Sequence, residues 1–394
     1  MSESVKLSRR LARCRSLHDL QRLAKRTLPF PIYDHIAGGA DDETSLARNE
    51  TVFSQFSLVP RYCQGLDLGT VDLSTTVLGE NLEWPVICSP WGLQTLIHRD
   101  GEVGMARAVH QTGSAYVLSA ASEVTLEALA HAVSGPCWFN LIPTRSRDIM
   151  QALMERAHGA GYRTLVVTVD APTDGNRERD RHSGFGFPSA FSPAAWWSIA
   201  MHPRWWLGKF GYEMELKNYV PYLSPPQRDL AWLADEIKNS RMDWDTMAWI
   251  ARTWDGPVAI KGVLCAEDAR RSVDAGVSAV IVSNQGARHF DTSPAPFEVL
   301  PEVCDAVGEQ GEVLLDGGIR RGTDVLKAIA AGAKAVTTAR PFAYGLAAAG
   351  RAGAERALDL LKSEVKRDMC FVGAGCLTDL TAAHLRYKAP ARRY

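Results

Sequence analysis

Eight short apolar segments recur along the chain, and this pattern restricts the possible folds more than any other feature. Each segment has four to seven residues, is rich in Val, Ile and Leu, and shows little alternation of apolar and polar positions. Strands of a parallel sheet that are buried on both faces have this composition. We predict strands at residues 84–90, 115–118, 136–142, 164–170, 257–262, 279–284, 312–317 and 335–340.

Segments of helical length separate these strands, at residues 101–113, 124–133, 145–160, 266–276, 295–307 and 320–332. Eight strands that alternate with helices predict an α/β protein, a (β/α)8 TIM barrel, for which ~250 residues are typical. We assign residues 61–380 to the barrel and residues 1–60 to an N-terminal helical segment that caps it. Residues 381–394 are expected to form a C-terminal tail.

The charge balance and the cysteines exclude several classes of protein. The 44 Lys and Arg residues nearly match the 45 Asp and Glu residues, so the chain lacks the basic excess of a nucleic-acid-binding protein. The cysteines include no Cys-x-x-Cys pair, so neither a disulfide framework nor a zinc site is expected. No apolar run reaches the ~18 residues of a membrane span, and no secretory signal is recognisable. We expect a cytoplasmic protein that binds no metal and no nucleic acid.

A long insertion, residues 174–243, follows the fourth predicted strand and is rich in tryptophan. Trp196, Trp197, Trp205 and Trp206 lie within eleven positions. A stretch of this length inside a compact domain is typical of a functional lid or of a disordered segment. Indole rings also suit the headgroup level of a membrane, so an interfacial anchor is a second hypothesis. We favour a lid or a subunit contact without membrane binding, because only two basic residues accompany the indoles.

Polar residues mark the carboxyl ends of the predicted strands, where TIM barrels carry their chemistry. They are Ser119, Asn140, Thr168, Asp170, Lys261, Ser283, Asn284, Asp316 and Arg340. A buried lysine such as Lys261 is costly unless it faces a charge or a partner. Residues 316–322 read Asp-Gly-Gly-Ile-Arg-Arg-Gly at a helix start, and Arg340 follows one strand later. We therefore predict a phosphate site after the seventh and eighth strands.

Six motifs, in this order, closely resemble those of the FMN-dependent 2-hydroxy-acid oxidases and dehydrogenases. They are Ile32-Tyr33-Asp34, Thr168-Val169-Asp170, Asn176-Arg177-Glu178-Arg179-Asp180, Ala259-Ile260-Lys261-Gly262, Ser283-Asn284-Gln285-Gly286-Ala287-Arg288 and Asp316-Gly317-Gly318-Ile319-Arg320-Arg321-Gly322. Glycolate oxidase, lactate oxidase and (S)-mandelate dehydrogenase belong to this family. The resemblance covers roughly residues 20–380 and implies a barrel that binds FMN, commonly as a homotetramer. Its reaction passes a hydride from a substrate carbon to flavin N5.

The resemblance also implies roles for individual residues. The FMN-binding residues would be Pro90, Trp91, Gly92, Ser119, Asn140, Thr168, Lys261, Ser283, Asp316, Gly317, Gly318, Arg320, Ala339 and Arg340. Tyr33, Arg177 and Arg288 match the positions that hold the substrate carboxylate, and Ile142 would be a further substrate contact. Guanidinium groups suit that role because they bind a carboxylate through two hydrogen bonds. The expected partner is therefore a small molecule with an anionic group.

The chain departs from the family pattern where the reaction needs a base. The family's Ser-Asn-His-Gly reads Ser-Asn-Gln-Gly here, so Gln285 replaces the histidine that takes the substrate proton. A glutamine amide does not accept a proton near neutral pH, and a positioned base contributes ~10²–10⁴-fold to the rate. Asp170, which orients that histidine in the family, has lost its partner, and Ile142 replaces a second active-site tyrosine. The catalytic candidates are thus Tyr33, Asp170, Lys261 and Gln285.

Three functions are compatible with these residues. The first is an FMN-dependent oxidoreductase of class EC 1.1 with altered chemistry on a carboxylate-bearing substrate; His289 is an alternative base, although a solvated loop histidine is favoured. The second is oxidation of an amine or a peptide-derived precursor, class EC 1.4, because a neutral amine brings its own lone pair. The third is a flavin-binding protein with little turnover, against which the retained Arg177 and Arg288 argue.

Overall fold

Eight parallel strands close into a barrel at the centre of the protein. The computed structural model describes residues 10–186, 189–209, 212–224, 230–238 and 240–387. The barrel strands are β4 (Val86–Cys88), β5 (Tyr116–Ser119), β6 (Cys137–Leu141), β7 (Leu165–Thr168), β8 (Val258–Val263), β9 (Ala279–Val282), β10 (Glu312–Asp316) and β11 (Ala335–Thr338). They are joined in chain order and closed by pairing of β11 with β4. The predicted TIM barrel is confirmed.

Helices surround the barrel and follow its strands. Before the barrel lie α1 (Leu17–Thr27), α2 (Phe30–Ala37) and α3 (Thr44–Thr51), and the barrel's helices are α4 (Gln94–Ile97), α5 (Gly101–Gln111), α6 (Leu126–Ala132), α7 (Arg147–Gly159), α12 (Trp244–Thr253), α13 (Ala266–Asp274), α14 (Pro296–Val307), α15 (Gly322–Ala330) and α16 (Arg340–Val372). The long α16 is interrupted by non-helical backbone at Ala349 and Gly350. The insertion carries α8 (Glu178–Ser183), α9 (Pro193–Ala200), α10 (Pro203–Leu207) and α11 (Leu230–Lys238).

The barrel interior is an apolar core. Its largest side chain, Trp138, is fully buried, and small residues around it, such as Ala115 and Ala259, leave room for the indole. Residues from the hairpin of β2 (Thr75–Val77) and β3 (Glu80–Leu82) belong to the same core. A packed interior of this kind leaves the chemistry to the carboxyl ends of the strands.

A short strand that precedes the barrel pairs with the last described residues in a separate two-stranded sheet. β1 (Phe56–Leu58) pairs antiparallel with β12 (Leu385–Tyr387). Residues 385–387, which the sequence assigned to a C-terminal tail, are thus part of a sheet, while residues 388–394 lie outside the described residues. Residues 385–387 are ordered into a strand because they hydrogen-bond to β1, a contact with a segment that is distant in sequence.

The insertion is held to the barrel through α4. Trp205 Nε1 donates to the carbonyl of Leu96 at 3.0 Å, and Lys209 Nζ donates to the carbonyl of Thr95. Trp196 and Trp197, in contrast, are 59% and 70% exposed. Among the described residues, no helix combines the length and the apolar character that crossing a bilayer requires.

Candidate active site

A cavity of about 220 Å³ lies at the carboxyl ends of the barrel strands. It collects residues from the loops after β4, β9, β10 and β11, together with Lys261 of β8, residues of α4 and one face of α2. The predicted site residues that line it are Pro90, Trp91, Gly92, Lys261, Gln285, Arg288, Asp316, Gly317, Gly318, Arg320, Ala339 and Arg340. The remaining predicted residues, Tyr33, Ser119, Asn140, Ile142, Thr168, Asp170, Arg177 and Ser283, are not part of this lining.

Tyr33 faces the core beside the cavity. Its ring stacks on Tyr344 with a centroid distance of 6.1 Å, and its hydroxyl accepts a hydrogen bond from Gln21 at 3.4 Å. The residues of α2 that line the cavity are instead Ile32, His35 and Ile36. Tyr33, on the same helix, is not part of the lining.

Three of the predicted ring-binding residues form a polar group on adjacent strands. Asn140 Nδ2 donates to Thr168 Oγ1 at 2.8 Å and to the carbonyl of Val166 at 3.0 Å. Ser119 Oγ accepts from the amide of Ala121 at 3.1 Å. These bonds fix the side chains in the wall of β5, β6 and β7. Ile142, just beyond β6, packs against the core, and its carbonyl accepts from Tyr219.

Lys261 and Asp316 form a buried ion pair at the floor of the cavity. Lys261 Nζ lies 3.0 Å from Asp316 Oδ2 and donates to Ser283 Oγ at 2.9 Å. Ser283 and Thr337 donate to the two oxygens of Asp316. Burial alone would lower the pKa of Lys261, but the carboxylates of Asp316 and Asp170 outweigh it and raise that pKa. The lysine is therefore a permanent positive charge in the cavity wall.

Two arginines tie the loops of the barrel to the end of α2. Arg288 Nη1 donates to the carbonyl of His35 at 2.6 Å, and Arg340 donates to the carbonyls of Ile36 and Gly38 at 3.0 and 2.9 Å. The C-terminal carbonyls of a helix carry partial negative charge, which favours these contacts. Burial, together with the nearby Arg177 and Arg340, lowers the pKa of Arg288. This concentration of positive charge favours an anionic ligand.

The loop after β10 fits the phosphate end of FMN. Arg320 is 7% exposed; its Nη2 donates to Glu50 at 2.7 Å, whereas its buried Nε has no partner among the described residues. Trp91 Nε1, also in the cavity wall, is a second buried donor without a described partner. A phosphate and a flavin ring would supply acceptors to such donors. Gly318 has φ +77, and a Cβ there would meet the carbonyl oxygen of Asn49 at 1.9 Å, so a tight backbone approach explains this glycine.

Asp170 and Gln285 carry the unpaired acceptors of the site. Asp170 as a residue is half-buried, but both carboxylate oxygens are buried and have no hydrogen-bond partner among the described residues. Burial raises the pKa of Asp170 to about 6, with Lys261 opposing this effect. Gln285 Oε1 is likewise buried without a described partner. Gln285 has φ 50, and its backbone N–H donates to Ser283 Oγ at 3.0 Å.

The two histidines near the cavity differ in position. His289 Nδ1 lies 2.9 Å from the carbonyl of Thr173, and the residue is not in the cavity lining. His35 does line the cavity, and its Nδ1 lies 2.9 Å from Asp180 Oδ2. Our sequence reasoning assigned no role to His35. The helical spacing of Ile32, His35 and Ile36 was the available signal, because it places these residues on one face of α2.

Comparison with known proteins agrees with the geometry of this site. The family model described as "FMN-dependent dehydrogenase" matches residues 24–387. A crystal structure of the monotopic membrane protein (S)-mandelate dehydrogenase has a TM-score of 0.90 and 34% identity, and covers 95% of this chain and 100% of that one. A soluble mutant of the membrane-associated (S)-mandelate dehydrogenase from Pseudomonas putida has a TM-score of 0.83 and 32% identity, with coverages of 94% and 99%.

A mandelate oxidase mutant with (S)-mandelic acid is also similar. Its TM-score is 0.79 at 34% identity, and it covers 95% of this chain and 99% of that one. The family model spans nearly all of the described residues, and the cavity presents the arginines and glycines that the resemblance assigns to FMN. The cofactor of this protein is FMN, and the family model and the similar structures support an oxidoreductase of the hydroxy-acid class. The chain belongs to the FMN-dependent dehydrogenase family.

Proposed function

We propose that the protein oxidises a 2-hydroxy acid with an apolar, bulky side chain and does so without the proton-accepting histidine of its family. The observation that carries this proposal is the composition of the cavity wall. Arg288 stands at one part of the wall as a binding group for a carboxylate. The same wall also carries apolar residues that would contact an apolar side chain of the substrate: Ile32, Ile36, Trp91, Leu93, Leu96 and Ile97. Mandelate, the compound named for the similar structures, combines these two chemical features.

Different residues of the cavity and its surroundings have different roles in binding the substrate. Bound FMN would supply the acceptor for a hydride, which carries the two electrons of the oxidation. Arg288 holds and orients the substrate carboxylate, while Lys261 keeps a positive charge in the wall through its pairing with Asp316 at 3.0 Å. Arg177 supports this arrangement from outside the lining, since its Nε donates to Asp180 at 2.9 Å. The apolar residues exclude water from the reacting carbon.

Gln285 is a hydrogen-bonding group of the pocket in this proposal. Its amide cannot take a proton at neutral pH, but its NH2 group can donate to an oxygen of the substrate. Replacing Gln285 by histidine should raise the rate of flavin reduction by at most the ~10²–10⁴-fold that a positioned base contributes, and by less where another group already accepts the proton. Asp170, now without a partner, would pair with the new imidazole. A variant that binds FMN normally but gains no rate would contradict this placement of Gln285.

Anaerobic mixing tests the function directly. The FMN-loaded protein is mixed in a stopped-flow instrument with (S)-mandelate, with lactate, with phenylalanine and with benzylamine, and the flavin absorbance is followed. We expect bleaching by the hydroxy acids, faster with mandelate than with lactate. Bleaching only by the amino acid or the amine would instead establish amine oxidation. Bleaching by none of them would identify a flavin-binding protein without turnover.

We also propose that α9 and α10 rest on a membrane surface. The large apolar side chains exposed on these helices and just after α9 are Trp196, Trp197, Met201, Trp206 and Leu207. Each is 41–70% exposed, and we call them the α9–α10 surface. Trp and Leu on an amphipathic surface favour the interface of a bilayer. The similarity to a protein described as a monotopic membrane protein supports the same assignment. This revises our preference for a lid or a subunit contact.

Sedimentation with vesicles tests the membrane proposal. Wild-type holoenzyme should pellet with vesicles of phosphatidylcholine and phosphatidylglycerol, and the double variant Trp196→Ser/Trp197→Ser should remain in the supernatant. Tyr62→Ser is the matched control, because Tyr62 is 66% exposed elsewhere. A different result would establish a subunit contact instead: the wild-type protein does not sediment with vesicles, and light scattering shows that the tryptophan variant forms smaller oligomers than the wild type.

A further inference from the structure

We propose that His35, oriented by Asp180, accepts the hydroxyl proton of the substrate in place of the family's histidine at position 285. This inference rests on the proposed function, hydroxy-acid oxidation, and adds the group that completes it. His35 shares the cavity lining with Gln285 and Arg288. It comes from α2, a part of the chain remote in sequence from the loop after β9.

The pairing of His35 with Asp180 fixes its tautomer. Its Nδ1 lies 2.9 Å from Asp180 Oδ2, and the Asp180 side chain is only 8% exposed. An ionised carboxylate can only accept a hydrogen bond, so Nδ1 carries the proton and Nε2 presents its lone pair. No described residue hydrogen-bonds Nε2. The ring therefore has a free basic nitrogen in the part of the chain that the structure describes.

A second residue of the insertion contacts the imidazole. Phe185, just beyond α8, packs on the His35 ring with a centroid distance of 4.3 Å. The carbonyl of His35 accepts from Arg288 at 2.6 Å. Asp180 also accepts from Arg177 at 2.9 Å. Arg288 therefore contacts His35 directly, and Arg177 contacts it through Asp180. These are the two arginines that we expect to attract the substrate carboxylate.

Bound substrate would make His35 a better base. Burial lowers the pKa of His35 to about 4 despite the hydrogen bond to Asp180, and the positive charges of Arg288 and Arg177 lower it further. The imidazole is therefore neutral at pH 7 and free to accept a proton. A substrate carboxylate beside Arg288 offsets this positive charge, so anion binding raises the basicity of Nε2.

The proposed step balances without any further reactant. The O–H bond of the substrate breaks and its proton goes to Nε2 of His35. The electron pair of that bond becomes the second bond of the new carbonyl group. The α-hydrogen leaves as hydride with its two electrons for the bound flavin, and the product is a 2-oxo acid.

Variants of the FMN-loaded enzyme test the proposal by stopped-flow reduction with (S)-mandelate across a range of pH. His35→Gln should slow flavin reduction by ~10²–10⁴-fold and remove the loss of rate on the acidic side of the pH profile. His289→Gln is the matched control and should stay within about twofold of wild type. The double variant His35→Gln/Gln285→His should recover rate, because it returns an imidazole to the pocket.

Binding and NMR readouts separate catalysis from structure. Mandelate with a methyl group in place of its α-hydrogen should bind His35→Gln as tightly as wild type, within about threefold. In histidine-labelled holoenzyme, this analogue should move the nitrogen signals of His35 and leave those of His289 unchanged. Unmoved His35 signals, or His35→Gln enzyme with the wild-type rate and pH profile, would overturn the proposal. A wild-type enzyme that no hydroxy acid reduces refutes the proposed function itself, and the NMR result still decides whether His35 meets the ligand.

Discussion

Replacing Asp170 by asparagine should stabilise the enzyme at high pH and not at low pH. The carboxylate oxygens of Asp170 are buried and without described partners, and burial raises the pKa from 3.8 to about 6. A group whose pKa is raised by folding favours the native state only while it is protonated. Stability is therefore lost as the pH rises from the unfolded pKa towards the folded one, and it stays lost above pH 6.

The magnitude follows from the shift. At about 1.36 kcal/mol for each pH unit between the two pKa values, ionising Asp170 costs the native state ~3 kcal/mol above pH 6. About 2 kcal/mol of this develops between pH 4.5 and pH 8. Asparagine does not titrate, so the difference in unfolding free energy between variant and wild type should grow by that amount over this range. Any constant cost of burying the new amide cancels in the comparison.

Urea unfolding at fixed protein and FMN concentrations, followed by tryptophan fluorescence, measures this difference. Asp316→Asn is the matched control, because Lys261 and the donors Ser283 and Thr337 outweigh burial and lower the pKa of Asp316. That variant should instead lose stability at high pH. Equal stability differences for Asp170→Asn at pH 4.5 and pH 8 would refute the assignment of Asp170 as a buried, unpaired acid.

Three further predictions concern the cavity and its surroundings. Lys261→Met should cost ~3–5 kcal/mol of unfolding free energy, because it leaves Asp316 buried without its partner at 3.0 Å; adding Asp316→Asn should recover most of the loss in the same urea assay. Gly286→Ala should weaken FMN binding by at least ~10-fold in a fluorescence titration. The new Cβ would meet Arg340 Nη1 at 2.3 Å, and the backbone φ of +63 disfavours alanine. The control variant Gly159→Ala, whose new Cβ meets nothing within 4 Å, should bind FMN normally. Tyr33→Phe should change KM by less than about threefold, as its hydroxyl faces Gln21; a larger rise would place Tyr33 in the pocket.

The barrel was predictable from sequence because its signals are local. Each strand from β4 to β11 is a short apolar run, and burial on both faces enforces that composition. The motifs in β8 and after β9 and β10 then placed Lys261, Gln285 and Arg320 at one rim, since the carboxyl ends of all barrel strands lie at the same end of the barrel. The cavity lining includes all three residues.

Contributions from distant segments were not predictable in the same way. His35 reaches the cavity because Arg288 and Arg340 hold the end of α2, and its partner Asp180 comes from the insertion. No local pattern encodes a contact across 145 positions. For Tyr33 the motif resemblance predicted a contact with the substrate, but the residues of α2 that line the cavity are Ile32, His35 and Ile36. The orientation of the helix, which the motif does not encode, determines which of its residues face the cavity.

The loop after β9 keeps its shape without help from the side chain at 285. Gln285, Gly286 and Ala287 all have left-handed backbone, held by bonds from the amides of Gln285 and Ala287 to Ser283 and Asn284. Codons for histidine and glutamine differ only in the third base. A single base change can therefore exchange these two residues in a loop whose backbone hydrogen bonds do not involve the side chain at position 285.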